Sequence, residues 1–378
     1  MPQASYCDIT RLPLGRTGFS DIRQRGKIYV DKTALLAQIA RLDNPLFLSR
    51  PRRFGKSLLI DTLHNLFAKG LDDFQGLEIA GLWKDKTYKV VHIDFSSIAD
   101  LTPSNFKSEF CDIILHRFNM KGIISALNEK NEYREPSTIL SEIAERIEIS
   151  SVVLLIDEYD APLTHHMDKP DEMHSIMSIL NNFYAVVKQY TSIFRFIFIT
   201  GVTRTAHVSI FSAFNNLRDV SFENEYNTLL GFTQDEIQYY FDKFIDNAAD
   251  SLNKTKNTIY KWLQQSYDGF QFAIDTDKTV YNPWSVLSFL QNPKNGFQNY
   301  WYQSGGISSL IVNYLKIRDN FDFLNYDDRR IVTDKKKLTA RYELTAVPAD
   351  VLLCQTGYFT ARTDNDGTLR LVPPNNEV

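Results

Sequence analysis

The sequence predicts an α/β fold, with a parallel sheet flanked by helices and a mainly helical region after it. Four short apolar segments have the composition of buried strands, and helix-forming sequence separates each from the next. This alternation is typical of βαβ units, whose parallel strands are covered by helices on both faces. The predicted strands are residues 46–48, 90–95, 152–156 and 194–200.

Composition supports a globular chain and argues against a membrane-spanning protein and a zinc-motif protein. The chain has 378 residues, with 43% hydrophobic and 23% charged residues, which suits two or three domains. The net charge of −4 gives no global field that would attract nucleic acid, although a local basic patch stays open. The apolar runs fall short of the roughly 20 residues that a membrane span requires. Three widely separated cysteines fit no zinc motif and favour a reducing cytoplasm.

Helix signals lie between the predicted strands. Asp31 or Thr33 is expected to cap a helix that ends before residue 44. A second helix is expected over residues 56–67, with Lys69-Gly70 as its stop signal. Residues 103–150 are expected to be mostly helical. The strand at 152–156 is unbroken apolar sequence, which places it centrally in a parallel sheet.

The strongest chemical signal is Ser49-Arg-Pro-Arg-Arg-Phe-Gly-Lys-Ser57, where a short strand meets a helix. In a P-loop, backbone N–H groups wrap the phosphates, Lys56 would reach the β- and γ-phosphates, and Ser57 would bind Mg²⁺. Arg50 stands where such loops usually have their first glycine. A basic surface turn entering a helix is the simpler alternative. The predicted nucleotide-binding residues are Arg52, Arg53, Phe54, Gly55, Lys56, Ser57 and Leu58.

A second signal is the apolar strand at 152–156, which ends in Asp157 and Glu158. A buried parallel strand delivers such carboxylates to the edge of the sheet where phosphate sites form. Asp157 would hold Mg²⁺, and Glu158 would orient the attacking water. A solvated acidic turn is the alternative for this segment alone. Together with the loop about one hundred residues earlier, it indicates a nucleotide-binding site.

Polar residues also follow the strand at 194–200. In P-loop proteins with an adjacent catalytic glutamate, an additional strand lies between the loop strand and the acidic strand, and Thr200 at its tip would sense the γ-phosphate. Arg204 and Arg218 are candidate arginine fingers, although most arginines are solvated or salt-bridged. The loop arginines could touch phosphate or pair with an acid such as Asp160, which could otherwise cap a helix.

These residues resemble the AAA-ATPase-like proteins, P-loop ATPases that commonly precede a PD-(D/E)XK nuclease-like domain. An arginine in place of the first loop glycine is itself typical of that family. The resemblance implies binding of ATP with Mg²⁺, hydrolysis and a helical lid after the core. It rests on residues 29–33, 50–57, 92–96, 155–163, 209–217, 267–270, 281–285 and 374–378.

The expected domains follow from the change in sequence near residue 230, where Thr233 and Glu236 form a capping box. Residues 1–230 would be the ATPase core, 231–345 a helical lid or winged-helix-like domain, and 346–378 a short β-rich tail. In relatives such a tail leads into the nuclease-like domain, for which this sequence shows no convincing metal-binding signature.

Three classes of function remain open from the sequence. The first is a Mg²⁺-dependent ATPase that regulates or drives an effector, such as a nuclease-like domain or protein. The second is a nucleotide-binding switch or scaffold with little turnover. The third is an ATPase stimulated by nucleic acid, which the net charge does not indicate. No membrane partner is expected, and assembly into a homo-oligomer is left open.

Overall fold

The computed structural model describes residues 8–120, 134–204, 214, 216–306, 309–317, 331–340 and 342–378. The sequence motif at 209–217 therefore lies mostly outside the described residues. Within them, five strands form a parallel sheet in the order β2-β3-β4-β1-β5. These strands are β1 (Leu46–Ser49), β2 (Lys89–Asp94), β3 (Val152–Asp157), β4 (Phe194–Gly201) and β5 (Arg218–Asp219).

The four predicted strands and their parallel arrangement are confirmed. The additional strand β4 lies between β1 and β3, as the sequence predicts. The strand β5 has only two residues, which is too short to produce a recognisable sequence pattern.

Helices cover both faces of the sheet. In β3, Val152, Leu154 and Ile156 pack into one hydrophobic layer, whereas Val153 and Leu155 pack into the other. Successive side chains of a strand point to opposite faces, so burial of both faces explains its unbroken apolar sequence. The flanking helices are α1 (Phe19–Gln24), α2 (Thr33–Ala40), α3 (Lys56–Lys69), α4 (Pro103–Met120), α5 (Pro136–Ala144), α6 (Ala161–His165) and α7 (Pro170–Gln189).

A third hydrophobic cluster lies among helices that follow residue 230. The predicted capping box is present, because Thr233 and Glu236 each bond to the backbone of the other. Leu12 and Ile28, from the beginning of the chain, pack into the same cluster. The elements are α8 (Gln234–Leu252), α9 (Lys256–Tyr267), α10 (Pro283–Gln291), a π-helical turn (Tyr302–Gly306) and α11 (Ser309–Lys316).

The last described elements form a small antiparallel sheet with two short helices. Its strand order is β6-β8-β7, from β6 (Ile331–Val332), β7 (Thr360–Thr363) and β8 (Leu369–Val372). The two short helices are α12 (Lys335–Thr339) and α13 (Ala349–Gln355), and a turn after α13 precedes β7. Leu352 and Leu371 belong to the hydrophobic layer that also contains α4, α5 and α7.

None of the described helices combines the length and apolarity that a membrane crossing requires.

The end of β4 depends on a glycine. Tyr159 packs directly against Gly201, donating its backbone N–H to Thr200 O (3.0 Å) and its hydroxyl to Thr203 O (3.1 Å). A Cβ atom on Gly201 would lie 2.5 Å from two ring atoms of Tyr159 and 2.7 Å from Asp160 Oδ1. The close packing therefore leaves no room for a side chain there.

We predict that Gly201→Ala lowers the free energy of unfolding by about 1–3 kcal/mol, because the added methyl group overpacks this junction. Denaturant unfolding measures the effect. Gly81→Ala is the matched control, since a Cβ there meets no atom within 4 Å. Equal losses for both variants would contradict the packing explanation.

Candidate functional site

The loop between β1 and α3 presents unused backbone donors at a helix N-terminus. Gly55 precedes α3 in a left-handed conformation, with φ 96°, and provides no side-chain cap. In the described residues, no hydrogen bond uses the N–H groups of Lys56, Ser57 or Leu58. The first N–H groups of a helix lack intrahelical acceptors and attract anions, so this loop has the form of an anion-binding nest.

The amine of Lys56 lies inside this loop. It donates hydrogen bonds to Arg50 O (3.0 Å) and Pro51 O (3.2 Å), and the side chain is buried. Burial lowers the pKa of the amine, while the carboxylates of Glu158 and Asp157 act in the opposite direction. The amine is thus held by neutral carbonyl groups within reach of two acidic side chains.

The carboxylate of Asp157 accepts hydrogen bonds from the start of α3 and from the ends of two strands. Ser57 Oγ donates to its Oδ2 at 2.7 Å, Thr200 Oγ1 donates to its Oδ1, and the N–H of Glu158 donates to Oδ1 at 3.1 Å. The Asp157 side chain is 2% exposed. The structure therefore brings together Ser57, Asp157 and Thr200, which the sequence places in three separate motifs.

Glu158 turns away from the strand at this point. Its φ of 50° is left-handed, which is uncommon for a residue other than glycine and is typical of functional sites. The side chain lines the same cavity as Lys56. Burial raises the pKa of its carboxyl group, an effect strengthened by Asp157 and opposed by Lys56. One strand end thus presents two carboxylates with different environments.

A cavity of about 450 Å³ extends from the loop into an apolar compartment. The loop contributes residues 52–59, and Glu158 lines the polar end. The compartment is formed by side chains from distant parts of the sequence, so no local pattern predicted it. The side chains that line this compartment include Leu14, Ile28, Val30, Leu230, Phe232 and Trp284.

Comparison with known proteins assigns the family. The chain matches the AAA-ATPase-like family, described as predicted AAA-ATPase, over residues 13–211. The chain belongs to the AAA-ATPase-like family. It is also similar to a protein of Azotobacter chroococcum mcd 1 described as an uncharacterized protein in the vnfD 5′ region. The two are 31% identical over 374 residues, which cover 97% of this chain and 68% of that relative.

In this AAA-ATPase-like chain, Arg50 has a structural role that the sequence does not reveal. Its side chain is 1% exposed and donates to Ser221 O (2.8 Å) and Tyr226 O (3.0 Å), with the guanidinium 4.3 Å from the ring of Phe272. Burial lowers its pKa to about 9. The arginine at the usual glycine position thus ties the loop to the segment after β5.

The other side chains of the loop make contacts of different kinds. Arg53 has a left-handed φ of 71°, and its guanidinium donates to Ser304 O (2.7 Å). The Phe54 ring packs edge-on against Phe270. Arg52 lines the cavity of this AAA-ATPase-like chain, as do Phe54, Leu58 and the remaining predicted loop residues.

Asp160 does not hold a loop arginine, contrary to one sequence-based hypothesis. Its carboxylate is buried and accepts hydrogen bonds from Val202 N, Thr203 N (2.7 Å) and Thr203 Oγ1 (2.8 Å). It also gives no side-chain cap to α6. Asp160 therefore fixes the chain after β4, beside the site.

Arg204 is turned away from the cavity that the AAA-ATPase-like loop lines. Its guanidinium pairs with Asp219 at 2.6 Å and lies 4.7 Å from the ring of Phe222. This placement argues against an arginine-finger role within the same chain, because an internal ion pair engages the charge. Arg218, the other candidate, pairs with Glu223 at 2.7 Å.

We predict that Arg50→Gly, which restores the usual loop glycine, destabilises the protein. Three carbonyl groups, those of Ser49, Ser221 and Tyr226, would lose their donor, at a cost of about 1–3 kcal/mol each in the free energy of unfolding. Arg52→Gly in the same loop is the control, and we expect a loss within about 1 kcal/mol. Chemical denaturation compares the two. A stable Arg50→Gly variant would show that this buried arginine does not anchor the loop.

Proposed function

We propose that the chain binds ATP with Mg²⁺ and hydrolyses it to ADP and phosphate. The observation that carries this proposal is the hydrogen-bonded cluster of Ser57, Asp157 and Thr200, beside a cavity that Lys56 and Glu158 line. Membership of the AAA-ATPase-like family supports the choice of nucleotide.

The phosphates would occupy the nest at the start of α3. The amine of Lys56 would exchange its carbonyl acceptors, Arg50 O and Pro51 O, for phosphate oxygens. Phosphate oxygens carry negative charge whereas the two carbonyl groups are neutral, so Coulombic attraction to the ammonium group favours this exchange. The apolar compartment, with Phe232 and Trp284 among its lining residues, would receive the base.

Ser57 and Asp157 are the residues that would hold Mg²⁺. A hydroxyl and a carboxylate are oxygen ligands of the type this ion prefers, and it usually takes further ligands from phosphate and water. When bound, Mg²⁺ would neutralise charge on the phosphates.

Glu158 would orient the attacking water, because its carboxylate lines the cavity while Asp157 is occupied by three donors. Thr200 would act through Asp157, whose orientation it helps to fix. This division gives the two adjacent carboxylates different tasks: Asp157 serves the metal and Glu158 serves the water.

We further propose that nucleotide state controls an effector through a helical lid. The proposed units are a core at 1–230, a lid at 231–345 and a β-rich tail at 346–378. The contact of Arg53 with Ser304 supports such a link between loop and lid. The same contact also suits a nucleotide-dependent switch with little turnover, the second candidate function.

Removal of the loop amine is the direct test of binding. We predict that Lys56→Ala weakens ATP binding by on the order of 100-fold, since two charge-assisted hydrogen bonds to phosphate are lost. Isothermal titration calorimetry measures this affinity. Lys261→Ala, at an exposed position of α9, should bind ATP as the wild type does. Unchanged affinity of Lys56→Ala would refute the proposed site.

Glu158→Gln separates the enzyme from the switch. We predict a fall in turnover of about 10²–10³-fold with little change in ATP affinity, because the amide cannot accept a proton. Glu109→Gln, at an exposed position of α4, is the control. A phosphate-release assay gives the rates. Equal, near-zero rates for wild type and Glu158→Gln would instead favour the switch.

The pH dependence of turnover follows from the raised pKa of Glu158. Only the ionised carboxylate can orient the water, so turnover should fall as the pH drops through this pKa. Because burial raises that pKa, the loss should begin above the ordinary glutamate value of 4.5. The test is to measure kcat as a function of pH and to locate this acidic limb, the range over which kcat falls. A limb at or below pH 4.5 would argue against Glu158 as the titrating group.

A further inference from the structure

The phosphate loop is held by residues from the second half of the chain. Pro51 is packed so closely against Gly357 that a Cβ on the glycine would lie 2.9 Å from it. Trp301 donates its indole N–H to Arg52 O at 3.3 Å, and the Arg53 guanidinium lies 4.6 Å from the ring of Trp284. The shape of the loop therefore depends on these later elements.

Residues 374–378 lie among the same elements. Asn375 Nδ2 donates to Asp268 O at 2.6 Å, and Asn376 N donates to Gln265 O at 2.9 Å. Gly269, with φ 95°, allows the approach, because a Cβ there would lie 2.0 Å from Pro374 O. The segment is therefore docked at the end of α9 by one side-chain and one backbone hydrogen bond.

Glu377 is the buried charge of this segment. Its side chain is 3% exposed and accepts hydrogen bonds from Ser285 Oγ (2.8 Å) and Trp301 N (2.8 Å). The ion pairs of the described residues include none to Glu377. The titratable groups facing it are the phenols of Tyr267, Tyr300 and Tyr302. Burial raises the pKa of Glu377 to about 7.

Two of the hydrogen-bond donors to Glu377 belong to residues that contact the loop or lie next to such a residue. Trp301 uses its backbone N–H for Glu377 and its indole N–H for Arg52 O. Ser285 follows Trp284, on whose ring the Arg53 guanidinium lies. One buried carboxylate thus sets the position of two tryptophans that contact adjacent loop residues.

We propose that Glu377 is a positioning residue for nucleotide binding, acting on the phosphate loop through Trp301 and the start of α10. This inference rests on the proposed function. Docking of residues 374–378 and nucleotide binding are then coupled, and the coupling is reciprocal. An effector that displaces this segment would change the affinity of the loop for nucleotide.

The protonation state of Glu377 gives the coupling a pH dependence. Its raised pKa means that its stabilising contribution is complete below the ordinary value of 4.5 and is lost as the pH rises through about 7. Above that pH, the carboxylate is charged without a cationic partner in the described part of the chain, which disfavours its buried position. Nucleotide affinity should therefore decrease between pH 6 and pH 8.

The test uses the affinity of the full chain for ADP with Mg²⁺, measured by calorimetry. At pH 6.5, we expect Glu377→Ala to bind about tenfold more weakly, since Trp301 N and Ser285 Oγ lose their acceptor. Glu377→Gln keeps an acceptor and should bind within about twofold of the wild type, with the decrease between pH 6 and 8 abolished. Glu343→Ala, at an exposed position, is the matched control.

Trp301→Phe gives a second test that keeps an aromatic ring and the backbone donor to Glu377 but removes the indole N–H that bonds to Arg52 O. We expect binding to weaken about threefold or more. Hydrogen–deuterium exchange should also show that ADP protects the amides of residues 375–378, which a purely structural role would not produce.

The outcomes separate this inference from the proposed function. If the wild type binds ADP, Lys56→Ala does not, and both Glu377→Ala and Trp301→Phe bind like the wild type, the coupling is refuted and the nucleotide site stands. If the folded wild type fails to bind any nucleotide, the proposed function falls, and this inference falls with it.

Discussion

The carboxylate of Asp157 joins three segments of the chain that meet at one edge of the parallel sheet. It lies at the end of β3, and its partners are Ser57 at the start of α3 and Thr200 at the end of β4. This meeting requires β4 to lie between β1 and β3, because only then does Thr200 reach the same edge between the loop and the acidic strand. The strand order therefore determines which side chains can form the site.

The sequence predicted the strands, and it placed the loop and Asp157 at one edge of the sheet, because these features depend on local patterns and on the shared edge of parallel strands. It could not predict the contacts of Arg50, Asp160 or Arg204. Each of these charged groups is buried against partners from other elements, and Arg50 reaches Tyr226 O, 176 positions along the chain. The apolar compartment was missed for the same reason, since its walls assemble only in the folded chain.

Buried polar groups explain why the loop has a defined shape before any nucleotide is bound. The guanidinium of Arg50 holds one side of the loop by donating to main-chain carbonyl groups. Trp301 and Trp284 contact the other side of the loop. Each contact satisfies a group that would be costly to leave unpaired in the interior. The loop is thus held both by the sheet and by the elements that follow residue 230. Such a loop can transmit nucleotide binding to distant segments, as the proposed link to an effector requires.

The most direct test of the nucleotide site is a structure of the chain determined with ADP and Mg²⁺. We predict that the β-phosphate accepts hydrogen bonds from the N–H groups of residues 56–58 and from the amine of Lys56. We also predict that Ser57 Oγ binds Mg²⁺ and that the base lies in the apolar compartment beside Trp284. Nucleotide bound elsewhere, with the Lys56 amine still on Arg50 O and Pro51 O, would contradict the proposed site.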